Sequence, residues 1–310
     1  MGHRIGKILG LLLLTAAAAV SAQTPGDGAI LALGSGSMEQ VIQTWRENYQ
    51  LKYPDFKMEI RPEGSGAAPA ALTAGTAQIG LMSREMKPAE VATFKAKWGY
   101  APTRVAVAMD ALVVLVNKNN PIREIRMDQL DAVYSPTRGH GWPKDITTWG
   151  ELGVTQPGWG NRPIVRWDRP EASGTRSFFH ELVLKGDKGK PDTMVVQEES
   201  GIDEELFLDQ AAIGYGSMSD VFTALRSVPV VPLGAKAAVE PSTETVGSGA
   251  YPMSRFLFVY LNKAPGKPLP PAVEAFLRYT LSPEGQKLVK SVGQVGLPQE
   301  LVKVNLRRLD

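Results

Sequence analysis

The sequence predicts an α/β protein, because strand-like and helix-like segments alternate along almost the whole chain. Three of the predicted strands are each followed by a short turn rich in glycine and serine, and then by a helix. These turns are Gly34–Met38, Gly64–Gly66 and Arg169–Thr175. A helix N-terminus presents unpaired N–H groups and a partial positive charge, so three such turns around one crevice would form an anion site rich in donors.

Residues 1–22 have the pattern of a signal peptide rather than of a folded element. Arg4 and Lys7 form a basic start, an apolar run follows, and small residues precede a cleavage point before Gln23. The apolar run is too short to span a membrane comfortably, and an uncleaved anchor is the alternative interpretation. We therefore expect an exported, periplasmic protein with its signal cleaved near Ala22.

Charge and composition argue against several classes of function. Cleavage of the signal removes two of the 34 basic residues and none of the 32 acidic ones, which leaves the two signs balanced. No nucleic-acid partner is expected, because nucleic acids usually require a marked basic surface. The chain has no cysteine and only three histidines, so neither disulfides nor Cys-ligated zinc can form, and we expect no metal and no cofactor.

Motifs of known enzyme classes are absent from the chain. It contains no Gly-x-Ser-x-Gly nucleophile elbow, no phosphate-binding loop ending in Gly-Lys-Ser/Thr and no His-Glu-x-x-His zinc motif. Plentiful carboxylates offer no pair that stands out for acid–base chemistry. The sequence therefore predicts a binding protein rather than an enzyme.

The first turn lies between a buried-type strand and a helix with one apolar face, predicted for 39–52. Gly36 allows close backbone approach, Ser37 is suited to cap the helix, and Met38 presents a backbone N–H group. We interpret this turn as a set of donors placed at the start of a helix.

The second turn repeats the arrangement with Ser65 and Gly66, between a strand at 56–61 and a helix at 67–74. The next strand, 77–82, ends at Ser83. A polar residue at the carboxyl end of a strand is typical of ligand sites in open α/β sheets, and Ser83 could equally cap the helix predicted for 88–98.

A long apolar run from Val105 to Val116 contains one carboxylate, Asp110, and is predicted to be a strand that passes from one domain to the next. A strand at 255–262 returns the chain to the first domain. The remaining predicted elements are strands at 163–167, 194–196, 212–216 and 228–233, and helices at 128–134, 176–185, 201–210, 220–225, 271–282 and 283–292.

The third turn carries the most specific signal. Arg169 supplies a guanidinium group, and either Ser173 or Thr175 can cap the following helix, with Gly174 between them. A charged fork, two hydroxyls and free backbone N–H groups together can bind an anion without a metal.

These turns together resemble the phosphate-binding proteins of bacterial phosphate ABC transporters, the PstS-like branch of the type II periplasmic binding proteins. The spaced Arg-x-x-x-Ser-Gly-Thr motif is the most specific part of the resemblance, which runs through nearly the whole mature chain. The segments that carry it are Gly34–Met38, Gly64–Gly66, Ile79–Arg84, Arg169–Arg176 and Ala212–Tyr215.

The resemblance implies a two-lobed type II periplasmic binding protein fold, in which two hinge crossovers join the lobes and the lobes close on the ligand. We place one lobe at 23–109 and 252–310 and the other at 110–251. A monomer that receives inorganic phosphate, or a related oxyanion, and passes it to the transmembrane subunits of an ABC permease is expected.

The same resemblance implies residue roles. The predicted donors of the first lobe are Ser37, the N–H of Met38 and Ser65, and those of the second lobe are Arg169, Ser173, the N–H of Gly174 and Thr175. Gly36 and Gly66 support the turns. Glu171 stands where relatives often carry an aspartate that orients the arginine, so we expect it to hold Arg169.

Ser83 departs from the pattern of the well-known phosphate receptors, which have an aspartate there that accepts the proton of monohydrogen phosphate. A serine carries no charge to repel sulfate, so weaker rejection of sulfate is predicted. The alternatives are a receptor for sulfate, molybdate or another oxyanion, and a stand-alone exported protein used for adhesion, sensing or hydrolysis of phosphate esters.

Overall fold

The computed structural model describes residues 30–197, 201–221 and 223–310. The predicted signal peptide at 1–22 lies outside them. The strands are β1 (Ile30–Gly34), β2 (Met58–Arg61), β3 (Ile79–Met82), β4 (Thr103–Asn117), β5 (Ile125–Arg126), β6 (Val165–Asp168), β7 (Met194–Val195), β8 (Ala212–Ser217), β9 (Leu225–Val228), β10 (Val230–Val231) and β11 (Ser254–Leu261). The α-helices are α1 (Glu39–Lys52), α2 (Ala68–Ala74), α3 (Pro88–Trp98), α4 (Met127–Tyr134), α5 (Gly174–Leu182), α6 (Ile202–Leu208), α7 (Thr243–Gly247), α8 (Pro271–Thr280), α9 (Pro283–Ser291) and α10 (Gln299–Arg307).

One path of hydrogen-bonded strands runs through the molecule in the order β2-β1-β3-β11-β4-β8-β6-β7, with β9 also paired to β4. The β1, β2 and β3 strands are parallel to one another, and so are β6, β7 and β8. Between the two sets, the pairs β3–β11, β11–β4 and β4–β8 are antiparallel. Parallel strands need crossover helices, and α1, α2, α5 and α6 supply them. The α/β class predicted from the sequence is confirmed, and the two-lobed architecture with it.

The β4 strand connects the two lobes. Its first part pairs with β11 as far as Ala111, and its second part pairs with β8 from Leu112 onward. All of its residues after the first two are buried, which explains the long, almost wholly apolar run in the sequence. The change of partner falls close to the predicted lobe boundary at 110, and the exact boundaries stay a prediction.

Most helices and strands are found where the sequence predicted them, because the periodicity of apolar residues reflects which side chains are buried. The α1 helix has the predicted bounds, and its apolar face of Val41, Ile42, Trp45 and Tyr49 is buried. No helix within the described ranges is both long and apolar enough to cross a membrane.

The helix predicted for 220–225 is wrong. A short 3-10 turn ends at Asp220, and Leu225 already begins β9. Residues Leu225–Val228 pair with Val114–Asn117 of β4, so a tertiary pairing overrides the local pattern. The α7 and α10 helices were not predicted.

Candidate functional site

The second and third glycine-rich turns are in direct contact. The N–H of Gly66 donates to the carbonyl oxygen of Ala172 at 2.9 Å. A Cβ atom added to Gly64, whose φ is +88°, would lie 2.6 Å from the same carbonyl oxygen, so only glycine fits this close approach. The two lobes therefore meet at the two turns that the sequence singled out.

The first turn reaches the third through a pair of hydroxyls. Ser37 Oγ lies 2.8 Å from Thr175 Oγ1, and both side chains are buried. Gln294 supports the first turn from behind, because its Nε2 donates to the carbonyl oxygen of Ser37 at 2.8 Å. Hydroxyls from opposite lobes are thus in direct contact.

A second group of hydroxyls adjoins this pair. Ser35 Oγ donates to Ser83 Oγ at 2.9 Å, and Ser65 Oγ accepts the N–H of Ser83 at 3.1 Å. Gly174 lies against them, since an added Cβ would come within 2.0 Å of Ser65 Oγ. We call the five side chains Ser35, Ser37, Ser65, Ser83 and Thr175 the hydroxyl cluster.

The hydroxyl cluster can bind a tetrahedral oxyanion. Each hydroxyl has one hydrogen to donate, and an anion placed among them would replace hydroxyl–hydroxyl bonds with hydroxyl–anion bonds. Burial of the cluster lowers the local dielectric and strengthens such bonds. Four of the predicted site residues, Ser37, Ser65, Ser83 and Thr175, are brought together here, and Ser35 was not predicted.

The start of α5 settles which residue caps it. Ser173 is the N-cap, and its Oγ accepts the N–H of Arg176 at 3.2 Å. The helix begins at Gly174, two residues earlier than predicted, so Gly174 and Thr175 lie in the first turn, where N–H groups lack helical acceptors. The partial positive charge of this helix end faces the hydroxyl cluster.

Two further predicted residues lie beside the cluster with different contacts. The N–H of Met38 donates to the carbonyl oxygen of Ser35 at 3.1 Å, within a 3-10 turn, and its side chain is fully buried. Gly36 lines the open cleft. Donation by the Met38 N–H to an anion stays a prediction.

Arg169 lies in the wall of the cleft and is 3% exposed. Its Nη2 donates to Asp220 Oδ2 at 2.8 Å, and its Nε donates to the carbonyl oxygen of Tyr215 at 3.1 Å. Glu171 is exposed. Asp220 therefore holds Arg169, a role that the sequence did not indicate for it. The expected role of Glu171 stays a prediction.

Asp168, at the end of β6, fixes the start of α5. Its oxygens accept hydrogen bonds from the backbone N–H of Arg169, from Arg176 Nε and from the Tyr215 hydroxyl, and it pairs with His180 Nε2 at 3.0 Å. Burial alone would raise the pKa of Asp168, but the hydrogen bonds from His180 and Tyr215 hold that pKa below its usual value. His180 is thus a structural partner of a buried carboxylate.

Sequence reasoning also missed Arg255, which comes from β11. Its Nη1 donates to Thr175 Oγ1 at 3.0 Å and its Nη2 to Ser37 Oγ at 3.2 Å. Asp110 holds the guanidinium, with Oδ2 at 2.9 Å from Nε and 2.6 Å from Nη2. The sequence did contain a signal for a buried cation, because a lone carboxylate such as Asp110 in an apolar strand requires a buried partner.

A cleft of about 580 Å³ extends outward from Ser37 and Arg169. Asp203 and Asp220 lie in its wall, and Asp203 Oδ1 has no hydrogen-bond partner within the described part of the chain. Burial, followed by the nearby charge of Asp220, raises the pKa of Asp203 from its ordinary value near 3.8 to about 7.

Asp203→Asn is expected to stabilise the protein above neutral pH. The folded state binds the Asp203 proton more tightly than the unfolded state does. The stability that this proton contributes is therefore fully present below about pH 4 and is lost as the pH rises to about 7. The melting temperature of the variant relative to wild type should therefore rise between pH 4 and 7 and then level off. Glu204→Gln, an exposed change on the same helix, serves as the control. A melting-temperature difference that does not vary with pH would contradict this assignment.

Most of the chain is similar to known proteins. A family model described as a PBP superfamily domain matches residues 19–284. The phosphate-binding protein PstS of Pseudomonas aeruginosa is 37% identical over 284 residues, which cover 91% of this chain and 87% of that protein. The protein SphX of Synechococcus elongatus is 27% identical over 87% of this chain and 77% of its own length.

Solved structures give the same result for the fold. A phosphate ABC transporter substrate-binding protein from Clostridium perfringens, determined with bound phosphate, matches with a TM-score of 0.72 at 27% identity, over 87% of this chain and all of that one. A phosphate transport receptor from Vibrio cholerae matches with a TM-score of 0.64 at 22% identity, over 87% of this chain and 100% of its own, and shows the shared fold alone.

Proposed function

Because this chain belongs to the PBP superfamily, and within it to the family of the phosphate-binding protein PstS, we propose that it is an exported receptor for inorganic phosphate. It captures the anion between its two lobes and delivers it to the transmembrane subunits of an ABC permease. Export to the periplasm and action as a monomer are parts of the same proposal.

One observation carries this function: hydroxyls from three separate turns gather in one buried cluster at the junction of the lobes. Ser37 and Thr175 come from opposite lobes, and their oxygens lie 2.8 Å apart. An anion bound there would be held by both lobes at once, so its binding favours closure. The Pseudomonas aeruginosa and Clostridium perfringens relatives are named as binding proteins, and no enzymatic role is proposed.

The anion would be held largely by neutral donors. Serine and threonine hydroxyls, the first N–H groups of α5 and the guanidinium of Arg169 supply the donors, while the mature sequence has balanced charge. Such an array attracts anions through fixed dipoles rather than through a basic surface. This fits capture of one small oxyanion and does not fit binding of a polyanion.

A receptor for sulfate is the second candidate, and Ser83 is the reason for it. Ser83 is fully buried in the hydroxyl cluster and carries no charge that would repel a fully ionised anion. A hydroxyl can still accept one hydrogen bond from protonated phosphate. We therefore expect phosphate to bind more tightly than sulfate, with sulfate competing measurably.

Competition calorimetry on purified, ligand-free protein tests both candidates. Phosphate should release or absorb heat with one site per chain, and added sulfate should raise the apparent dissociation constant for phosphate. A thermal-shift screen with phosphate, sulfate, molybdate and phosphonates supports it, because a ligand of the folded form raises the melting temperature. Equal or tighter affinity for sulfate would overturn the preference for phosphate.

A further inference from the structure

A buried ion pair joins the two strands that connect the lobes. Arg255 of β11 and Asp110 of β4 stand directly opposite each other, next to the point where β4 changes partner from β11 to β8. Their side chains are 2% and 0% exposed. Taking two charges out of water is costly, and such a pair often gives no more stability than apolar residues of the same volume. Stability alone therefore does not explain why this ion pair lies between the two lobes.

Asp110 is satisfied on both of its oxygens. Oδ2 accepts Nε and Nη2 of Arg255, while Oδ1 accepts the Ser217 hydroxyl at 2.7 Å and the N–H of Met218 at 3.3 Å. The residues that bind Oδ1 come from the end of β8 and from the 3-10 turn that follows it, in the second lobe. Asp110 thus fixes the plane and direction of the guanidinium, and the ring of Phe178 lies 5.8 Å from the guanidinium carbon.

The remaining donors of Arg255 determine the direction in which the hydroxyl hydrogens of Ser37 and Thr175 point. A guanidinium has no acceptor, so Ser37 Oγ and Thr175 Oγ1 must each accept a hydrogen bond from it. The single hydrogen of each hydroxyl is then directed away from Arg255. A charged donor on the oxygen also polarises the O–H bond and strengthens its own donation.

We infer that Arg255, held by Asp110, is a positioning residue of the oxyanion site. It orients the hydroxyls of Ser37 and Thr175 as donors toward the anion, and it links the first lobe to α5 of the second. This inference rests on the proposed binding of an oxyanion, and it assigns to the arginine an effect that passes through the two hydroxyls.

Arg255→Lys tests the inference with little disturbance, because lysine keeps the charge next to Asp110 but lacks the fork that reaches both hydroxyls. By calorimetry with phosphate, we expect the affinity of this variant to fall by roughly tenfold or more. Arg166→Lys is the matched control: Arg166 is also buried and paired with an aspartate, Asp192, and it contacts none of the cluster hydroxyls. The affinity of the control should equal that of wild type.

A double-mutant cycle separates positioning from general support of the structure. Thr175→Val removes the hydroxyl and nearly conserves the shape of the side chain. If Arg255 acts through this hydroxyl, Arg255→Lys should cost several times less affinity in the Thr175→Val background than in wild type. The same fold-loss in both backgrounds would overturn the inference.

The binding results distinguish failure of this inference from failure of the proposed function. If wild type binds none of phosphate, sulfate, molybdate or phosphonate, both fail; if wild type binds one of them and the cycle is additive, only the inference fails. Should Arg255→Lys not fold, judged by its melting curve, the paired change Asp110→Asn with Arg255→Gln leaves no buried charge. That pair should fold and lose affinity by a similar factor, and wild-type affinity in it would also overturn the inference.

Discussion

Alanine at position 174 is expected to weaken phosphate binding by about ten- to a hundredfold, which corresponds to the roughly 1–3 kcal/mol that overpacking costs. The added Cβ would lie 2.0 Å from Ser65 Oγ, 2.6 Å from Ser65 Cβ and 2.5 Å from Ser83 Oγ. Both serines are fully buried and bonded to their neighbours, so they have little freedom to move. The start of α5 would have to withdraw from the first lobe, and the hydroxyl cluster would open.

Calorimetry with phosphate measures this effect, and thermal melting shows whether the variant stays folded. Gly160→Ala is the control, because a Cβ at Gly160 meets nothing within 4 Å. The φ angle of Gly174 is not in the left-handed region, so backbone strain does not contribute, and any loss reflects the contact with Ser65 and Ser83. Wild-type affinity in Gly174→Ala would show that the anion binds away from this contact.

Local patterns were sufficient to predict the turns and most of the elements that hold them. The apolar stripe of α1 and the proline and glycine that bound α3 are read directly from the sequence, and both helices have the predicted bounds. The serines of the first two turns share one cluster because the parallel strands β1 and β2 present their carboxyl ends at the same edge of a sheet, and contact with the other lobe adds Thr175 of the third turn. Short-range sequence signals specify the strands, turns and helices that make up this topology, so this part of the site could be predicted.

The charged partners of the site could not be predicted in the same way. Asp110 was visible as an isolated carboxylate, but Arg255 lies 145 residues further along the chain, and only the antiparallel pairing of β4 with β11 brings them together. Asp220 was assigned to a helix that does not form, so its contact with Arg169 was hidden. Glu171 was named from the resemblance, because relatives often carry an aspartate there; its side chain is exposed, and its role stays a prediction.

Removal of the Arg169 side chain should be as damaging as the change at Gly174. Arg169→Ala is expected to weaken phosphate binding by about 1.5–3 kcal/mol, the usual contribution of a hydrogen bond to a charged group. The loss has two physical sources. The anion loses a charged donor in the cleft wall, and Asp220 loses the guanidinium that lies 2.8 Å from its Oδ2, which leaves a carboxylate beside the anion.

The double variant Arg169→Ala with Asp220→Asn separates these two sources. It should recover part of the affinity if the exposed charge of Asp220 contributes, and none if only the lost donor matters. Arg226→Ala is the matched control, since Arg226 is a half-buried arginine of the same lobe that bonds backbone carbonyls of Asn120 and Ile122. Calorimetry on the three proteins decides the question. Unchanged phosphate affinity in Arg169→Ala would show that the anion does not bind at this wall of the cleft. The affinity for an oxyanion bound next to Arg169 would change both through the loss of the guanidinium and through the carboxylate left behind.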